Sequence, residues 1–166
     1  MNGLDKGMHI GMILIDLQKA FDTLDHGILL DKMKSLNFDN ITIEWFKSYL
    51  NKRVFFVNLE NVFSEKGELS YGVPQGSILG PLLFLIYIND IPQALSKCNV
   101  YLYADDTSLL FMDKDIGKIE KVLNEEFASL CEWFVDNKLS IHFGEDKTKS
   151  ILFTKKKKTW GNKYSI

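Results

Sequence analysis

The chain has 166 residues and a mass of 19.1 kDa, which suits one domain at the usual ~100–200 residues per domain. Its 46% hydrophobic and 25% charged residues exclude extensive disorder. Its two cysteines, Cys98 and Cys131, lie outside any CxxC pattern, which argues against a disulfide framework or a structural zinc site. Net charge is −2, but residues 147–166 hold seven Lys and no acid, leaving 13 basic against 22 acidic residues, or −9, on residues 1–146. Such a body is not a general nucleic-acid binder by bulk charge, unless many of its acids hold metal ions.

Taken in chain order, Met8–Leu17 (MHIGMILIDL) reads as a buried strand after a short lead with no secretory pattern. Asp25 is positioned to cap a helix over His26–Leu36, with Ile28, Leu29, Met33 and Leu36 near one face. Asn40 or Thr42 is positioned to cap a second helix over Ile43–Leu50. Two β-like runs follow, Arg53–Leu59 and Glu68–Val73, joined through a Glu-Lys-Gly turn. Gly76–Pro81 is a loop feeding an apolar helix through Ile88. The apolar run Ile78–Ile88 has 11 residues and contains Gly80 and Pro81, too short for a membrane span of ~20.

Val100–Tyr103 and Thr107–Met112 form a hairpin around Ala104-Asp105-Asp106. Ile116, Ile119, Leu123, Phe127, Leu130 and Phe134 recur at steps of three and four, one stripe of a long helix over Asp115–Leu139. A polar loop over Asn137–Lys149 and a closing strand over Ser150–Thr154 complete the set. The order β-α-α-β-β-α-β-β-α-β predicts an α+β fold with helices packed on one face of a sheet. Residues 1–154 form the expected domain and 155–166 a basic polar tail. Lys155–Lys158 in that tail resembles a nuclear-localisation or RNA-backbone patch, although such a run at a chain end is more often a solvated face.

Three segments carry chemistry. Asp16 ends the apolar strand Ile13–Leu17, and a buried unpaired carboxylate is costly, so it pairs with a cation, binds metal or sits at the exposed strand end. Asp105 and Asp106 share a turn. An Asp pair is ordinary turn chemistry on its own, but the flanks VYLY and SLLF root this turn in a sheet, the rigid support a metal site requires. Together the three acids supply hard oxygen ligands of the kind Mg²⁺ prefers. Two such ions ~3.5–4 Å apart can serve phosphoryl displacement. The third segment, Gly72–Pro81, holds three Gly and two Pro, which marks a loop of special backbone geometry. Neither the GxxxxGK nor the GxGxxG pattern occurs, so a P-loop or Rossmann site is not supported.

IDLQKAFDTLDH, GVPQGSILGPLLFLIYINDI, YADD and NKLSIHFGEDKTKSILF occur in this order. The chain therefore resembles the palm of reverse transcriptases from non-LTR (LINE-like, jockey-like) retrotransposons, from about Gly3 to Phe153. FDTLDHGILLDKM followed by WFKSYLNKR resembles that group more than another palm polymerase such as a group II intron maturase. The resemblance implies a polymerase palm with an RRM-like antiparallel sheet and an RNA-directed DNA polymerase activity. It implies Asp16, Asp105 and Asp106 as ligands of two Mg²⁺ ions, with Mn²⁺ as a substitute. It implies Phe21 beneath the sugar of the incoming nucleotide, Gln75 and Gly76 bordering nucleotide and template base, and Tyr103 beside the primer end. Lys147 matches a general acid for the leaving pyrophosphate, although LSIHFGEDKT holds two residues more before the Lys than the related LSLNxxKT. The implied partners are an RNA template, a DNA primer and deoxynucleoside triphosphates, with no membrane. The implied setting is intracellular, in cytoplasm or nucleus. Fingers before the palm and a primer grip and thumb after it are largely missing from this sequence. The alternative is therefore a truncated palm remnant with no polymerase activity of its own.

Overall fold

The structure, a computed structural model, describes residues 7–144 and 147–154; the tail that includes Lys155–Lys158 lies outside them. Its centre is a four-stranded sheet of β1 (His9–Ile15), β6 (Asn99–Tyr103), β7 (Asp106–Asp113) and β8 (Lys149–Phe153). The spatial order is β6-β7-β1-β8, and every neighbouring pair is antiparallel. β1 alternates strictly between buried and half-buried residues, the signature of a strand with one covered face. Ile13 and Ile15 point to the covered face, and in register with them stand Leu109 and Thr107.

A long helix, called α4 here because three others precede it, runs over Ile116–Asp136 and lies against that face. It buries Ile119, Leu123, Phe127, Leu130 and Phe134, the stripe predicted from the three-and-four spacing. Gly11 is the point of closest approach: a Cβ there would collide with Ile119 and Leu123 of α4. The other helices are α1 (His26–Ser35), α2 (Asn40–Leu50) and α3 (Leu79–Ile88). They join the same core through Leu29, Met33, Ile43, Phe46, Leu83 and Phe84. Tyr87 of α3, fully buried, donates its hydroxyl to the Asn137 carbonyl at 2.7 Å. Burial pushes its phenol up to about 12, so it remains a donor throughout the neutral range. Among the described residues no helix is long and apolar enough to cross a membrane.

Several boundaries differ from the sequence reading, each for a local reason. Helix α1 ends at Ser35, which leaves Leu36 as an exposed cap and not a core residue. Helix α2 starts earlier than predicted because Asp39, not Asn40 or Thr42, caps it by accepting from the Thr42 N–H. Strand β7 begins at Asp106, so that residue belongs to the ladder and not to the turn. A 3₁₀ turn over Ile91–Ala94, started by Pro92, was not foreseen.

The largest correction falls between α2 and α3. The run Arg53–Leu59 is two short strands, β2 (Arg53–Phe55) and β3 (Asn58–Leu59). β3 turns back at once onto β4 (Val62–Phe63), while β2 pairs with β5 (Gly67–Leu69). Glu60 and Asn61 both have positive φ, 48° and 68°, the two-residue turn that matches strand twist. The predicted strand over Glu68–Val73 stops at Leu69, because Gly72 adopts φ 78°.

Candidate active site

Asp16 is the residue after the last one of β1. Ile15 stands opposite Thr107 at the last rung of the β1–β7 ladder, so Asp16 leaves β1 at the end of the sheet where Asp106 opens β7. Asp106 in turn pairs with Tyr103 across a two-residue turn of Ala104 and Asp105. Ala104 holds φ 51°, a left-handed conformation that costs of order 1 kcal/mol for a residue with a Cβ.

Asp16 and Asp106 line one cavity of about 370 Å³, together with Leu14, Ser108 and Lys147. Around Asp16, His142, Lys147 and Thr148 make a clamp. The Asp16 carbonyl accepts from the His142 N–H at 2.8 Å. The Asp16 N–H donates to the Thr148 hydroxyl oxygen at 3.4 Å, and that hydroxyl donates to the His142 carbonyl at 3.0 Å. One carboxylate oxygen, Oδ2, lies 3.2 Å from Lys147 Nζ and 3.3 Å from His142 Nδ1. Thr148 and His142 were missed by the sequence reading, although both sit inside the quoted NKLSIHFGEDKTKSILF block.

Asp105 is not among the residues lining this cavity. Among the described residues no three acidic, histidine or cysteine side chains are gathered closely enough to hold a metal ion. Of the three carboxylates expected to converge, Asp16 and Asp106 border the same cavity and Asp105 does not join them there. Like charges repel when no cation joins them, and the Asp16 charge is balanced here by Lys147. The donor set still fits a hard divalent cation: two carboxylates border one open cavity, and carboxylate oxygens are what such ions select. The Lys147 ammonium on Oδ2 marks the place where positive charge is already stable.

A second cavity, of about 300 Å³, gathers Phe21, Gln75, Gly76 and Ile78. The sequence reading had assigned the first three to the nucleotide, and the fold brings them to one place. Two backbone hydrogen bonds tie the loop segments of this site together: Val73 N–H to the Phe21 carbonyl at 2.8 Å, and Gly72 N–H to the Leu24 carbonyl at 2.7 Å. Gly72 is required at that junction, since a Cβ would meet the Asp22 carbonyl oxygen at 2.6 Å. Gly76 also has φ 78°, but faces open space, so a ligand can approach its backbone. Phe21 is braced from below by the Phe84 ring at 4.7 Å. The Gln75 amide donates to Asp22 Oδ1 at 2.9 Å, and Ser77 Oγ accepts from the Gly80 N–H in the first turn of α3 at 3.0 Å. Tyr103 is 83% exposed beside the turn.

An antiparallel sheet backed by helices on one face, with carboxylates on two adjacent strands at one end, defines a polymerase palm. The chain belongs to the family described as reverse transcriptase (RNA-dependent DNA polymerase), whose pattern matches residues 4–162. It is 33% identical over 140 residues to the probable RNA-directed DNA polymerase from transposon BS of Drosophila melanogaster, covering 80% of this chain and 15% of that protein. It is 32% identical over 161 residues to the RNA-directed DNA polymerase from mobile element jockey of Drosophila funebris, covering 93% of this chain and 17% of that protein. The jockey-like resemblance is therefore borne out, and the chain spans about a sixth of the length of these relatives. Among solved structures, the apo telomerase of Candida tropicalis truncated from its C-terminal domain shares the fold. Its TM-score is 0.63 at 15% identity, over 95% of this chain and 32% of that one.

Proposed function

We propose that this chain is the nucleotidyl-transfer palm of an RNA-directed DNA polymerase, acting on an RNA template, a DNA primer and deoxynucleoside triphosphates. The observation that carries the reading is the one cavity that Asp16 and Asp106 line together with Lys147 at the end of the β1–β7 ladder. Asp16 and Asp106, with Asp105 at the neighbouring turn, would hold divalent cations of the magnesium class. Such ions lower the pKa of an attacking hydroxyl and steady the leaving oxygen of an in-line displacement.

The chain's own residues then position the reactants, which is most of what a protein contributes to phosphoryl transfer. Phe21, braced by Phe84, sets a floor at the sugar and excludes a 2′-hydroxyl by bulk. Gln75, its amide oriented by Asp22, and the open backbone of Gly76 border the base. Tyr103, exposed beside the turn, meets the primer end. Lys147 supplies a proton to the departing pyrophosphate.

The test replaces the matching segment of the jockey polymerase by this chain and follows RNA-templated extension of a DNA primer. Extension is expected, with a loss of several orders of magnitude on Asp16→Asn or Asp106→Asn while the protein stays folded. Extension that survives Asp16→Asn would refute the reading. The second reading, a palm remnant without activity of its own, draws on the −9 balance of residues 1–146, because affinity for nucleic acid is dominated by Lys and Arg meeting phosphates. An inactive chimera that folds normally would favour it.

A further inference from the structure

We propose that His142 is a positioning residue for Asp16, holding one carboxylate oxygen in place as a divalent cation takes the position of the Lys147 ammonium. This rests on the reading of Asp16 as a metal ligand. Two side chains share Asp16 Oδ2 at nearly equal distance, Lys147 Nζ at 3.2 Å and His142 Nδ1 at 3.3 Å. Their chemistry differs. The ammonium carries a full charge and competes with any cation approaching that oxygen. A neutral imidazole with its proton on Nδ1, 3.3 Å from the oxygen, needs only a small approach to donate one directed hydrogen bond, and it leaves the carboxylate charge available.

The backbone around His142 is fixed independently of its ring. Its N–H donates to the Asp16 carbonyl, and its own carbonyl accepts from Thr148. The neighbouring Leu17–Ile141 bridge extends the same seam. The ring is therefore delivered to Asp16 by a frame that survives its removal. A hydrogen bond from a neighbouring group fixes the orientation of a ligating side chain, and removing such partners typically costs about 10–100-fold in metal affinity. His142 and Lys147 should accordingly affect cation binding with opposite sign, although they touch the same atom.

The test titrates the 166-residue chain with Mn²⁺ alone, read by electron paramagnetic resonance, at a pH above the ordinary imidazole range. Thermal melting of each variant is followed alongside. Asp16→Asn is expected to abolish binding. His142→Ala is expected to weaken binding by about tenfold or more. His142→Asn, whose amide N–H reaches the same place, is expected to recover most of that loss, and Lys147→Met to bind more tightly than the wild type. Binding that depends on Asp16 but is equal in wild type and His142→Ala would overturn the inference and leave the metal reading standing. If His142→Ala melts early, a folded His142→Asn that fails to recover affinity would overturn it equally. Absence of any Asp16-dependent binding, even in Lys147→Met, would overturn both.

Discussion

The four-stranded sheet and the arm formed by residues 53–71 are built from the same kinds of residue, with opposite results. In the sheet, Ile13, Ile15 and Leu109 are buried at 3% or less exposure. In the arm, Phe55, Phe56, Val57 and Phe63 are exposed, and Leu59 and Val62 reach 72%. The difference is the second layer. Helix α4 covers the sheet, as the collision at Gly11 records, whereas β2 pairs with β5 and β3 with β4 and neither pair joins the larger sheet. Two-stranded ribbons without a backing layer are marginal in water. Apolar composition therefore reports burial only where a helix is positioned to supply it, and the candidate site lies on the part that has one: Asp16 follows β1 and Asp106 opens β7 of the backed sheet.

The sharpest way to break this contrast is a large-to-small change at its buried pole. Leu109 is fully buried on β7, opposite Ile13 and Val100. Leu109→Ala is expected to cost about 2–5 kcal/mol, the range for deleting buried methyl groups plus the cavity they leave. Urea unfolding of the two proteins measures it. A cost below about 0.5 kcal/mol, the range of ordinary surface changes, would mean that the sheet is no better packed than the arm.

The same contrast explains what could be read from the sequence. The stripe Ile119, Leu123, Phe127, Leu130 and Phe134 spans about four turns at 3.6 residues per turn, long enough for periodicity to identify both the helix and its face. Asp16 was legible as a special position because it interrupts the apolar run Met12–Ile15, although the strand was read as reaching Leu17 and ends at Ile15. Gln75 and Gly76 stood out only as part of the Gly- and Pro-rich loop Gly72–Pro81, and Phe21 entered only through the resemblance, because nothing in their spacing announces that positions 21 and 75 meet; the Phe21–Val73 and Leu24–Gly72 hydrogen bonds are long-range. The arm misled for the opposite reason. RVFFVNL reads as one strand by composition, and only the left-handed Glu60 and Asn61 reveal the fold-back. His142 was invisible because a lone His in a polar loop carries no period and no motif of its own.

Between the poles lies a polar anchor. Glu126 of α4 is 5% exposed, yet its carboxylate accepts from the N–H groups of Ser96, Lys97 and Cys98 at 2.9, 2.9 and 3.1 Å and from the Ser96 hydroxyl at 2.9 Å. Burial alone would push its carboxyl up, but these donors outweigh it and hold it below the ordinary value of 4.5. A lowered folded-state value means that the folded protein binds fewer protons than the unfolded one, so stability rises with pH. The contribution is complete above about pH 4.5 and fades as the pH falls through the lower folded value. Glu126→Gln places an amide N–H₂ against backbone donors and is expected to cost about 1.5–3 kcal/mol near neutrality. Denaturant unfolding of both proteins at pH 7 and in acid checks the sign: the gap should narrow in acid. A gap that does not change with pH would assign the effect to shape and not to charge.

The smallest expected effect belongs to the arm. Leu59 and Val62 flank the Glu60–Asn61 turn on paired strands, and both are largely exposed. Replacing them together by Ser removes apolar surface that the fold does not bury, so no transfer free energy is forfeited and no cavity is left. The stability change is expected to stay within about 0.5 kcal/mol, the usual range for surface substitutions, and urea unfolding measures it. Contiguous exposed apolar patches and unpaired strand edges also promote association between molecules. The double variant should therefore remain monomeric at higher concentration than the wild type in sedimentation or light scattering. A loss of about 2 kcal/mol, on the scale of a buried side chain, would show that the arm folds as one cooperative unit with the sheet. In that case the contrast between the two regions would describe solvent exposure alone and not their contribution to stability.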